Sequence, residues 1–218
     1  VLNGILRRYP VPAVYVSVLG VVSVVYGFVL SHSDQKGLVS WASTNLANLP
    51  TRPVVTLVVS AFVSEDPFII WAIATTLGLV LLVRRFGNLR ALALVVVSHV
   101  AGTLVSEGIA ALRLSVGDVP MTIRHIADVG PSYVTVSALM AVALYGRFPW
   151  KRWSALGCWA LLAPFLFVGL PDLDVAAVGH ATATLCGVLV GGLYVRWERR
   201  RAMRADFLLI DLPEPVRP

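Results

Sequence analysis

Residues 130–147 read GPSYVTVSALMAVALYGR, an apolar run from Ser132 to Tyr145 with a proline before it and a glycine and an arginine behind. At a rise of about 1.5 Å per residue this run covers only about 21 Å as a helix, against the ~30 Å of hydrocarbon in a bilayer. With its far end held at the lipid boundary by Arg147, Ser132 starts about 9 Å beneath the opposite boundary. The backbone before it, from Asp128 to Pro131, must then dip below the lipid surface. Irregular backbone at that depth is tolerated only where protein covers it or where it lines a water-filled cavity. This one stretch predicts an all-α polytopic membrane bundle with a cavity on one side and a serine at its edge.

The remainder of the chain supports a membrane reading. Of 218 residues, 57% are hydrophobic and 14% charged, with a mean hydropathy of +0.80, so a soluble fold would lack polar surface to show to water. Outward from residues 132–145, further apolar runs predict spans over 11–30, 68–83, 89–112, 153–170 and 173–195, six in all. The polar, Trp- and Leu-containing stretch 31–67 reads as an interfacial loop with one or two short helices. Within it Val54 to Val63 is too short to span and reads as interfacial or re-entrant. A membrane domain over 1–196 is thus followed by a basic, then proline-containing tail over 197–218.

The net charge of +6 is distributed at the ends of apolar runs and forms no single patch, which argues for topology signals and against nucleic-acid binding. The clusters Arg7/Arg8, Arg84/Arg85/Arg90, Arg147/Lys151/Arg152 and Arg196/Arg199/Arg200/Arg201 fall on alternate sides of successive spans and so on one face. That face is expected to be the cytoplasm, with both termini in it. Arginine far outnumbers lysine, the composition of a GC-rich genome, and the expected home is a multi-pass position in a bacterial inner membrane. The first apolar run is long and lacks a small-residue cleavage site, so it is read as a retained span. Cys158 and Cys186 sit alone in apolar runs and imply neither disulfide nor metal; no cofactor is expected.

Polar residues inside spans carry the functional expectations. Ser132 heads the short run, and His180 lies about 10 Å into the last span, at the same level. A serine, a histidine and a wet cavity are the parts of a nucleophile and its base. Pro131 suits a first helical turn, and the free N–H groups beside Ser132 suit an oxyanion. His99 and Glu107 lie eight residues apart on one helical face and either bond neighbouring helices or line a proton or substrate path. His125 and Asp128 are expected to be solvated or capping, with Asp128 also able to orient a base.

At these residues the chain resembles the rhomboid family of intramembrane proteins. Gly130-Pro131-Ser132 is similar to the start of the family's GxSG motif. His180 with Ala183, Gly187 and Gly191 resembles its sixth helix, where small residues let the histidine helix pack closely on the serine helix. The resemblance implies a six-helix bundle and a Ser132–His180 dyad that cleaves peptide bonds in transmembrane substrates. It departs from the pattern at Tyr133, which stands where the family has glycine. It departs again in the second span, where the family's HxxxN oxyanion pair is missing and only Thr75 or Thr76 is available as a donor. The family's Trp-Arg pair in the first loop is not evident either, although Trp41 lies in that region. These departures keep a second expectation open, an inactive scaffold binding membrane-protein subunits. A small transporter or channel using His99, Glu107 and His180 ranks third, because no inverted repeat is visible.

Overall fold

The computed structural model describes residues 8–210, and the side chains of residues 8–204. Arg7 of the first basic cluster and residues 211–218 lie outside the described residues. Among the described residues there are eight α-helices and no strand. Helix α1, Pro10–Val24, runs on through a π-helical turn, Val25–Val29. It is followed by α2 His32–Ala42, α3 Pro53–Val59, α4 Phe68–Phe86, α5 Asn88–Ser115, α6 Ser132–Tyr145, α7 Pro149–Leu166 and α8 Val175–Ile210.

Four helical stretches are long and apolar enough to cross a membrane, namely Pro10–Val29, Phe68–Phe86, Asn88–Ser115 and Val175–Arg204. Their outer faces expose large apolar side chains, among them Val14, Ile69, Leu104 and Leu189. Lipid, unlike water, solvates such a surface without cost. The chain is therefore a helical membrane protein.

Helix α6 is the hub. It is apolar all round, which suits a helix enclosed on every side; every residue from Ser132 to Leu139 is buried, and it packs on α4, α5, α7 and α8. Its closeness to α8 depends on small residues. A Cβ at Gly187 would collide with the Ser137 carbonyl, and one at Gly191 would come within 2.7 Å of the Tyr145 ring.

The helices α7 and α8 do not coincide with the apolar runs that mark their expected spans. Helix α7 begins at Pro149 and ends at Leu166, not at Trp153 and Leu170, because Pro149 sits at a first-turn position where its missing N–H costs nothing. Residues 167–172 then form a turn closed by a short 3₁₀ segment, Leu170–Asp172. At the other end, α8 does not stop at Val195 but continues as helix through the basic stretch to Ile210.

In the first loop, α3 and the 3₁₀ turn Ser60–Phe62 tuck into the bundle. The Tyr15 hydroxyl donates to the Ala61 carbonyl at 2.6 Å. The basic clusters meet at the opposite end. Arg84 Nε donates to the Tyr9 hydroxyl at 2.8 Å, and Arg152 Nε to the Ala143 carbonyl at 2.9 Å. Arg85 Nε donates to the Tyr145 carbonyl at 2.6 Å, and Arg85 and Arg90 both pair with Glu198 at 2.9 Å.

Candidate active site

Ser132 opens α6 after a turn that only glycine adopts without strain, since Gly130 has φ +130°. The Gly130 N–H donates to the Ser60 carbonyl at 2.7 Å, which ties this turn to the 3₁₀ turn Ser60–Phe62. The first N–H of α6 with a partner inside the helix is that of Thr135, bonded to the Pro131 carbonyl at 2.9 Å. The amides of Ser132, Tyr133 and Val134 are therefore the orphan donors of a helix N-terminus.

Opposite Ser132, on the second turn of α8, lies His180. Its Nδ1 is 2.8 Å from the Leu166 carbonyl oxygen. A carbonyl only accepts, so Nδ1 carries the proton and Nε2 keeps its lone pair. The ring is held between two aromatic neighbours, with Tyr133 at 5.1 Å and Phe167 at 6.5 Å between centroids, both edge-on. Ser132 and His180 line one cavity of about 550 Å³ together with Asp66, Trp71, Asp128 and Leu166. Among the described residues no hydrogen bond joins Ser132 to His180.

Tyr133 does not line this cavity. Its side chain turns away from Ser132 into the seam between α5 and α8, where it is 2% exposed. The space comes from two glycines: a Cβ at Gly179 would collide with the tyrosine hydroxyl, and one at Gly102 would lie 3.1 Å from its ring. The hydroxyl donates to Asp128 Oδ1 at 2.8 Å.

Asp128 is buried, and this corrects the expectation that it is a solvated or capping residue. The Thr44 hydroxyl donates to its Oδ2 at 3.0 Å, and its own N–H donates to Ser43 Oγ at 2.8 Å. Burial pushes its carboxyl up to about 6, against hydrogen bonds from Tyr133 and Thr44 that favour the charged form, while Asp174 nearby adds to the rise. His125 is exposed, as expected.

The other polar candidates stand apart from the cavity. His99 Nε2 donates to the Leu57 carbonyl at 2.9 Å, with Ser60 Oγ at 3.3 Å, so it ties α5 to α3 and the turn that follows it. Its Nδ1 and one oxygen of Glu107 are buried without a partner among the described residues. Thr75 is bonded to Thr135 at 2.7 Å in the contact between α4 and α6, and Thr76 is exposed on another face. Neither threonine lines the cavity. The first loop does contain a tryptophan–arginine contact, with the Arg52 guanidinium 5.3 Å from the Trp41 ring centre. The two residues are eleven positions apart, which is why no adjacent pair marked them in the sequence.

Residues 4–198 match a family model described as rhomboid-like protein. The chain belongs to that family. Neither the curated proteins nor the solved structures include one that matches it. In this rhomboid-like chain Gly130 takes a positive φ two residues before Ser132, and Gly187 and Gly191 of α8 face α6. The residues that depart from the expected pattern are Tyr133 and those of α4. Ala183, on the same face of α8, is fully buried in a cluster with Tyr133 and Val136.

Proposed function

We propose that this rhomboid-like protein is an intramembrane serine protease in which Ser132 is the nucleophile and His180 the base. The observation that carries the reading is the shared cavity: Ser132 and His180 both line it, and the Leu166 carbonyl holds His180 in the tautomer whose Nε2 can accept a proton. A backbone carbonyl here takes the orienting part of the aspartate's role in a Ser-His-Asp triad, without its charge. Ser132 Oγ attacks the carbonyl carbon of a peptide bond as its proton passes to His180 Nε2. The tetrahedral oxyanion is held by the orphan N–H groups at the start of α6. His180 then gives the proton to the departing amine, and water, activated by the same base, cleaves the acyl-enzyme.

In this reading α6 and α7 complete six spans with the four long apolar helices. The basic end faces the cytoplasm by the positive-inside rule, both termini lie there, and the cavity opens toward the other side of a bacterial inner membrane. Substrates are transmembrane segments of other proteins, admitted where their helix unwinds.

An activity-based probe tests it. A fluorophosphonate or isocoumarin labels the wild type, Ser132→Ala removes the label, and His180→Ala slows labelling by about 100-fold or more. A folded wild-type sample that takes no label overturns the proposal. Two observations favour the second reading, an inactive scaffold for membrane subunits: no hydrogen bond joins Ser132 to His180, and the indole N–H that α4 brings to the cavity, from Trp71, is already given to Asp66 Oδ2 at 3.1 Å. Stoichiometric co-purification of a membrane partner with an unlabelled protein would establish that reading.

A further inference from the structure

Independently of the protease reading, the basic end of the bundle carries a groove of about 610 Å³ between the start of α5 and α8, lined by Arg90, Leu193, Tyr194, Arg196, Trp197 and Arg200. Its wall is pre-organised. Arg90 is bonded to Glu198 at 2.9 Å and its guanidinium sits 4.4 Å from the Trp197 ring centre, while Arg201 covers the same ring at 3.6 Å. Glu198 has both oxygens taken, by Arg85 and Arg90. Arg196 and Arg200 are one helical turn apart on the groove and form no ion pair among the described residues. Like charges at that spacing repel, so among the described residues the groove holds an uncompensated positive charge that an external anion would neutralise.

Two further observations define the anion. From Val175 to Arg196 is about 31 Å of helix, close to the ~30 Å hydrocarbon thickness, so the arginines stand at headgroup level. Below them Leu193, Leu189 and Leu185 follow at four-residue spacing on one face and are 60%, 56% and 54% exposed. A charged groove that continues as an apolar track along the same helix is the shape of an amphiphile. We infer that this groove binds an anionic phospholipid, its phosphodiester between Arg90, Arg196 and Arg200 and an acyl chain along Leu193, Leu189 and Leu185. Arginine suits the role because its planar fork meets phosphate oxygens in pairs.

Native mass spectrometry of the full chain in detergent, titrated with phosphatidylglycerol, phosphatidylcholine or inorganic phosphate, tests the site. Phosphatidylglycerol is expected to be retained at least fivefold better than phosphatidylcholine. Arg196→Gln combined with Arg200→Gln removes that preference, and Arg147→Gln, a loss of charge at the same end but outside the groove, leaves it intact. Equal retention of the two lipids would mean annular lipid only. A double variant that keeps the preference, or inorganic phosphate that displaces the lipid at matching concentration, also overturns the inference. Should the double variant not fold, photo-activatable phosphatidylglycerol on the wild type decides: adducts concentrated on residues 185–200 support the site, and adducts spread over all outer faces overturn it.

Discussion

Tyr133 is where this chain parts most sharply from the rhomboid pattern, and the fold accommodates it without filling the cavity beside Ser132. Removing only its hydroxyl, Tyr133→Phe, leaves Asp128 Oδ1 buried without that donor and is expected to cost about 1–3 kcal/mol, read as a drop in the thermal midpoint in detergent. Gly179→Ala is the converse change, since its new methyl meets the tyrosine hydroxyl. It is expected to cost about 1–3 kcal/mol, and Tyr133→Ala in the same chain recovers part of that loss. Ser132 and His180 stood out in the sequence because polar groups in apolar runs are rare enough to notice. Asp128 was legible as a carboxyl able to orient a base but not as a buried one, because besides Tyr133 its partners Thr44 and Ser43 lie some 85 positions away and nothing local marks a loop carboxyl for burial. The Leu166 carbonyl that orients His180 has no signature in sequence, since every residue has a carbonyl.

At the scale of elements, the ends of α6 could be read from punctuation: Pro131 before the first turn and Gly146 after the last. Helix α7 starts four residues before the apolar run that marks its span, because Pro149 is a helix-start signal that hydropathy does not carry. Helix α8 ran past its apolar part because nothing in RWERRRAMR forbids a helix; its arginines and alanine favour one. The contact of α6 with α8 makes its own prediction. Gly187→Ala would push the two helices apart at the Ser137 carbonyl, at an expected cost of about 1–3 kcal/mol. Because Gly187 lies two helical turns from His180, the protease reading expects labelling by a serine-directed probe to fall with stability; full labelling at wild-type rate would show that the two helices can separate there without moving Ser132 relative to His180.

For the whole molecule, the polar cluster around Asp128 joins the first loop to α6 and so links the cover of the bundle to its hub. Its carboxyl rises from an ordinary value of 3.8 to about 6, so the folded chain holds a proton that the unfolded chain releases. The stability this contributes is fully present below pH 3.8, falls as pH rises through about 6, and amounts to roughly 3 kcal/mol. Thermal unfolding between pH 4.5 and 7.5 is expected to show that decline, and Asp128→Asn to flatten it. A membrane bundle was legible because lipid demands long apolar runs and basic ends, which composition displays directly. How the first loop seats on it was not, because that rests on hydrogen bonds between residues far apart in the chain. Tyr133, Gly102 and Gly179 come from three different helices yet occupy one volume, so a change at any one of them is felt at the other two. Replacing Tyr133 alone by glycine would leave three glycines around a void, so a small residue at 133 is tolerated only when larger ones enter at 102 or 179 in the same step.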